Sequence, residues 1–306
     1  MGTWGSGLYS GDFAMDLRAT IGAVVRLPFD PDQLVEILCQ KEPTAAKDPN
    51  DEDHTTFWLI VADQFAKRGI ICDRVQKKAF EIIDAGDDVA MLKQLGMRES
   101  DLLKRRKLLH DVRTRIAAST DRGKPRTVLK KPQPLLMDIG DVIAYPTRGG
   151  HCINPYLPSS RTADDQLWMS DGWAAAVIID RGRAFEFLSW YRPLRVAEAT
   201  TEKPTLDWLR GEVLWVLGLP GTCSAMHFAR MKLEKIGHFA LDPLKIRMLV
   251  PEKWFSPTIS VAVAVEDRSL GNELSATPYA RLRPFDPTIK GIEQILHDND
   301  QHPGAR

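Results

Sequence analysis

Cys223, His227 and His238 are the residues whose types and spacing come nearest to chemistry. A thiolate beside an imidazole is how a cysteine nucleophile is activated, and the same three side chains are metal ligands. Cys223 and His227 stand four apart, with His238 eleven further on. No third residue is identifiable as an orienter, and the chain has no Cys-x-x-Cys pair. The spacing therefore supports a buried structural cysteine, with no catalytic residue, metal ligand or cofactor expected. His151-Cys152 follows Arg148-Gly149-Gly150, but the glycines lack the Lys-Ser/Thr that a phosphate loop requires. The acidic group Asp48, Asp51, Glu52 and Asp53 lacks the alternation and central glycine of a calcium loop. It reads as a solvated loop, as does Asp164-Asp165.

Charge offers a second kind of chemistry. Lys+Arg and Asp+Glu both number 41, which argues against a nucleic-acid coat or a membrane-surface protein. Locally the balance breaks: between Arg98 and Lys131 twelve basic residues face four acidic ones. Such a run could track phosphates, but no aromatics are interleaved for base stacking. It reads first as a solvated helix face followed by a linker, and nucleic-acid binding is the alternative. Trp168, Trp173, Trp190 and Tyr191 crowd the second half, and aromatics facing solvent together would make an interface hot spot. Arg105, Arg106, Lys124, Arg126, Trp168 and Trp173 are the candidate partner-binding residues.

The elements that must position these side chains fall into two kinds. In the first third, apolar residues recur at helical spacing. Asp12 caps a first helix. Asp30-Pro31 opens a second, with Leu34, Val35, Ile37 and Leu38 inward. Residues 41–53 read as a polar loop. Asp53 or Thr55 caps a helix that buries Phe57, Trp58, Val61 and Phe65. Asp73, Asp87 or Asp88, and Ser100 start three more. From 118 to 134 three prolines and a cluster of basic residues predict an exposed, extended linker. Beyond it the period becomes strand-like: 138–146, a hairpin of 173–180 and 184–190 turning at Arg181-Gly182, then 194–196, 213–219, 236–241, 246–250 and 259–265. Residues 205–210 and 225–233 read as helical turns. A short amphipathic helix over 289–296 precedes a frayed tail.

The expected fold is thus α+β, a helical domain over 1–117 and a mainly antiparallel β barrel or sandwich over 135–283, with a tail at 284–306. Apolar runs such as 173–179 are too short to cross a bilayer. Four scattered cysteines and the absence of a secretory leader predict a cytoplasmic protein.

The opening, Gly2-Thr-Trp-Gly-Ser-Gly7 with Tyr9 and an acidic residue before Ala14-x-Asp16, resembles a bacterial family known as domain of unknown function 4259. There Phe is usual where Tyr9 stands, and Asn or Asp where Ser10-Gly11 stands. The resemblance covers about the first hundred residues and implies no activity. The glycines and rings here read as a structural plug, with Trp4, Leu8, Tyr9 and Phe13 as anchors. Gly140-Asp-Val-Ile-Ala-Tyr-Pro146 and the later Lys235-Ile-Gly-His238 resemble the immunity protein 26 family. That resemblance implies a bacterial protein that neutralises a toxin by binding it. The expected function is non-enzymatic, immunity-like or defence-associated binding of a protein partner. A nucleic-acid-binding module using 98–131 and a Cys/His hydrolase using Cys223 are the alternatives.

Overall fold

Asp30 and Pro31 show how the helical elements are set. The Asp30 side chain accepts from the Gln33 amide while the Gln33 side chain accepts from the Asp30 amide, and Pro31 fills the first helical position. This reciprocal cap satisfies two orphan donors and fixes the start of α2. The computed structural model describes residues 5–118, 126–153, 169–249, 270–274 and 288–297. The chain divides into two units, one carrying the helices up to Lys130 and the other carrying the sheet from Lys131 onward.

In the first unit the helices are α1 (Asp12–Val24), α2 (Pro31–Lys41), α3 (Pro43–Lys47), α4 (His54–Lys67), α5 (Asp73–Ala85), α6 (Asp87–Gln94) and α7 (Glu99–Ala118). Helix α4 is the centre, buried from His54 to Phe65 except at Thr56, and α1, α3, α5, α6 and α7 pack on it. Gly86 takes the left-handed conformation (φ 77°) between α5 and α6, a turn that favours glycine. The 41–53 segment departs from the expected loop. Pro43 ends α2 and also opens α3, whose Ala45 and Ala46 carbonyls accept from His54 Nδ1 (2.7 Å) and Trp58 Nε1 (3.2 Å).

The N-terminal segment is tied down as a plug. Leu8 is buried, the Tyr9 hydroxyl bonds Asp63 and Gln64 of α4, and the Gly7 carbonyl accepts from Arg105 at 2.9 Å. Trp4 lies outside the described residues.

The second unit is built on one antiparallel sheet, ordered β2-β1-β3-β4-β5-β8, with β7 also on β1 and β6 also on β4. Its strands are β1 (Asp141–Arg148), β2 (His151–Cys152), β3 (Gly172–Ala184), β4 (Leu188–Val196), β5 (Leu214–Leu217), β6 (Gly221–Thr222), β7 (Glu234–His238) and β8 (Thr288–Lys290). The short helices α8 (Leu206–Arg210), α9 (Ala225–Arg230), α10 (Pro243–Leu249) and α11 (Leu270–Glu273) surround it. Every residue of β4 is buried, so both faces of the central strands are covered.

Several expectations are corrected here. The sheet is open and not a closed barrel: among the described residues its outer strands do not pair with one another. The hairpin turns at Phe185 and Glu186, both with positive φ, and not at Arg181-Gly182. Gly182 serves a different need, because a Cβ there would lie 2.8 Å from the Trp190 ring opposite it. Of the expected strand 246–250, residues 246–249 belong to α10, and residue 250 lies outside the described residues. Asp242 accepts from the Leu244 and Lys245 amides ahead of Pro243, the same start signal as at α2. Residues 288–297 form β8 and a 3-10 turn (Ile292–Ile295) in place of an amphipathic helix. The expected strand 259–265 lies outside the described residues.

The segment expected as an exposed linker is bound where it is described. Arg126 donates to the carbonyls of Val25, Leu27 and Phe29 in the helical unit. Further on, Gln133 bonds Phe187 and Ser189, and the Leu136 amide bonds the Tyr191 hydroxyl in the sheet unit.

Candidate functional site

The end of β4 begins an open groove of the sheet unit. After Val196 the Ala197 amide bonds the Leu214 carbonyl, and the chain then crosses to Trp173. Thr200 and Trp173 exchange both amide–carbonyl bonds at 2.7 Å. Thr205 caps α8 by accepting from the Trp208 amide (3.2 Å), and Leu209 is the buried anchor of that helix. With Leu209 inward, Trp208 is turned outward and is 42% exposed. Gly211 and Glu212 then lead into β5, and β8 supplies Lys290.

The resulting groove has a volume of about 870 Å3 and is lined by 197–200, Asp207, Trp208, 211–214 and Lys290. Its chemistry is one-sided. Among the described residues Lys290 is the one cation of the lining, and it pairs with Glu212 at 3.2 Å. Glu198 and Asp207 are exposed and have no cationic partner among the described residues. An exposed indole beside unpaired carboxylates suits a cationic group that also carries apolar surface. Trp173 flanks this groove, half-buried, with Lys203 5.4 Å above its ring and Lys203 in turn paired to Glu234.

A second constellation joins β1 to β7. Asp141 is 1% exposed and accepts from the Asp138 amide (2.7 Å), Lys235 Nζ (2.7 Å) and His238 Nδ1 (3.1 Å). Burial pushes its carboxyl up, but these three donors outweigh burial and hold it below the usual carboxylate range. Gly140 makes the junction possible. At φ 92°, a Cβ there would lie 2.3 Å from the Phe239 carbonyl and 2.6 Å from the His238 ring. The two short motifs around Gly140 and Lys235 are thus neighbouring strands, with Asp141 directly opposite His238.

Cys223, His227 and His238 do not form a unit. Cys223 is fully buried, its thiol faces the Ser224 carbonyl, and burial pushes it up to about 12. A nucleophilic cysteine needs the opposite shift. Cys152 is buried and pushed up to about 12 as well. His238 is committed to Asp141. Among the described residues no group of His, Cys, Asp and Glu side chains is arranged to hold a metal ion, and no helix is long and apolar enough to cross a membrane.

The basic candidates separate. Arg105 is buried, with its guanidinium on Asp88 and Gly7, so it belongs to the core and does not lie on a solvated face. Arg126 is half-buried on backbone carbonyls, and burial pushes its guanidinium down. Arg106 is exposed and pairs with Glu99 at 3.6 Å. Lys124 and Trp168 lie outside the described residues. Sequence reasoning missed Trp208, Glu198, Asp207 and Lys290. The Thr205 cap was a usable signal, because it sets the phase of α8 and hence which of Trp208 and Leu209 is buried. No protein family, curated protein or solved structure matches this chain.

Proposed function

We propose that this chain is a non-enzymatic binding protein, immunity-like or defence-associated, that takes a cationic segment of a protein partner into the groove around Trp208. The observation that carries the reading is the pairing of an outward indole with Glu198 and Asp207, two carboxylates that no cation among the described residues neutralises. Hot spots of protein interfaces are enriched in such aromatic anchors, and complementary charge steers the encounter. The buried, proton-retaining Cys223 speaks against the hydrolase alternative. The ion pairs of Arg98, Lys104, Arg105, Arg106 and Arg113 speak against the long basic run as a nucleic-acid track.

The test titrates the full chain with Lys/Arg-rich, neutral and acidic peptides, read by tryptophan fluorescence and calorimetry. The basic peptide should bind, more weakly as salt is raised, and Trp208→Ala should weaken it about 30-fold, the effect of losing a ~2 kcal/mol anchor. Equal binding of all three peptides, or indifference to Trp208→Ala, would remove the proposal.

A further inference from the structure

Four cations converge at one end of the helical unit. Arg18 comes from α1, Lys67 and Arg68 from the end of α4, and Arg115 from the last turn of α7. Their common centre is the Tyr9 ring and the buried Asp63 carboxylate. Arg18 Cζ and Lys67 Nζ lie 5.2 and 5.0 Å from the Tyr9 ring centroid. Lys67 pairs with Asp63 at 2.6 Å, and Arg115 pairs with it from the other side. Arg68 bonds the Gln64 carbonyl at 3.2 Å and the Gln64 side chain.

Among the described residues one carboxylate therefore stands against four cations, and it is wholly enclosed while Arg18, Lys67 and Arg115 are exposed. The surplus positive charge is on the outside. Arg18 has no carboxylate partner among the described residues. Its guanidinium lies over the Tyr9 ring.

We infer that Arg18, Lys67, Arg68 and Arg115 form a binding site for a phosphoryl group. Three of the four are guanidinium groups, whose planar forks match phosphate oxygens in pairs, and the ammonium of Lys67 supplies a point charge. Burial pushes the Arg68 guanidinium down and the nearby Arg18 repulsion adds to it, while Tyr9 and Asp63 pull the other way. A dianion placed among them relieves that repulsion, which makes an anion a better occupant than water. The Tyr9 ring is already approached by two cations. The chemistry recognised is the phosphoryl group itself, whether from a polyphosphate or from a nucleic-acid backbone. This site is independent of the groove around Trp208.

The experiment is calorimetric titration of the full chain with pyrophosphate and, separately, with a short single-stranded oligonucleotide, at low and high salt. Pyrophosphate should bind at low salt, and Arg18→Gln should weaken it about tenfold, the loss of one charge-assisted contact. Arg18→Gln is the informative variant because Arg18 holds no buried partner, and unchanged thermal unfolding will verify that the fold is intact. If the oligonucleotide also binds and is weakened by the same substitution, the phosphoryl source is nucleic acid; if only pyrophosphate binds, it is a small polyphosphate. No binding of pyrophosphate at low salt, or binding that Arg18→Gln leaves unchanged, overturns the inference.

Discussion

Arg105 and Asp88 form a two-pronged ion pair in the interior of the helical unit, Nε to Oδ2 at 2.8 Å and Nη2 to Oδ1 at 2.9 Å. Thr55 adds a bond to Oδ1 at 3.3 Å, and the remaining Arg105 nitrogen reaches the Gly7 carbonyl. The pair links α6, α7 and the N-terminal plug in one buried contact. Removing one partner leaves the other as an uncompensated buried charge. Arg105→Ala should therefore cost about 3–5 kcal/mol in urea unfolding. The double variant Arg105→Met/Asp88→Leu should recover most of that loss. If the double variant is as unstable as the single one, the pair contributes more than mutual neutralisation.

Asp53 makes stability depend on pH in the less common direction. Burial, with Glu52 and Asp51 beside it, pushes its carboxyl up to about 6. A folded-state value above the unfolded one, near 4, means the folded state holds the proton more tightly. The associated stability is present below about 4 and is lost as pH rises through about 6. Asp53→Asn should consequently raise the melting temperature of the helical unit at pH 7, with the gain closing near pH 4. Asp53 caps α4 in position only and makes no side-chain cap bond, so little is lost by the substitution. A gain that persists unchanged at pH 4 would show that ionisation is not its cause.

Asp141 behaves oppositely. Its carboxyl lies below the usual range because the Asp138 amide, Lys235 and His238 outweigh burial. The stability it gives is present above pH 4 and is lost as pH falls through the lowered value. Asp141→Asn should cost about 2 kcal/mol at pH 7, the range for hydrogen bonds to a charged group, and the difference from wild type should shrink on acidification. Chemical denaturation at pH 7 and pH 3 separates the two.

Cys152 and Cys223 should resist alkylation at pH 8 in the folded protein, since both are buried and both thiols are pushed up to about 12. Mass spectrometry after brief iodoacetamide treatment, with and without denaturant, reads this directly. Cys223→Ala should leave binding of the basic peptide unchanged. Loss of function in a folded Cys223→Ala protein would return the hydrolase reading to favour.

Local signals were legible where a single residue type decides a local conformation. Asp30-Pro31 announced α2, Gly86 announced the α5–α6 turn, and the change of period near 135 announced the passage from helices to sheet. Where two signals competed, the sequence misled. Leu244, Ile246 and Met248 alternate like a strand, yet Asp242-Pro243 starts a helix, and only Ile246 is buried. Gly182 looked like a turn because glycine permits one, whereas it is needed to admit the Trp190 ring.

Composition and spacing by themselves determined the passage from helices to sheet and the start of α2. Only the tertiary structure decided which charges are free. Arg105 and Arg106 are adjacent in sequence, yet one is buried on Asp88 and the other faces solvent. The helical phase assigns each its face, and a partner distant in the chain then neutralises the buried one. The groove around Trp208 and the cations around Tyr9 have the same origin. Each gathers residues from separate elements, and a linear charge count cannot report which carboxylate lies within reach of which cation.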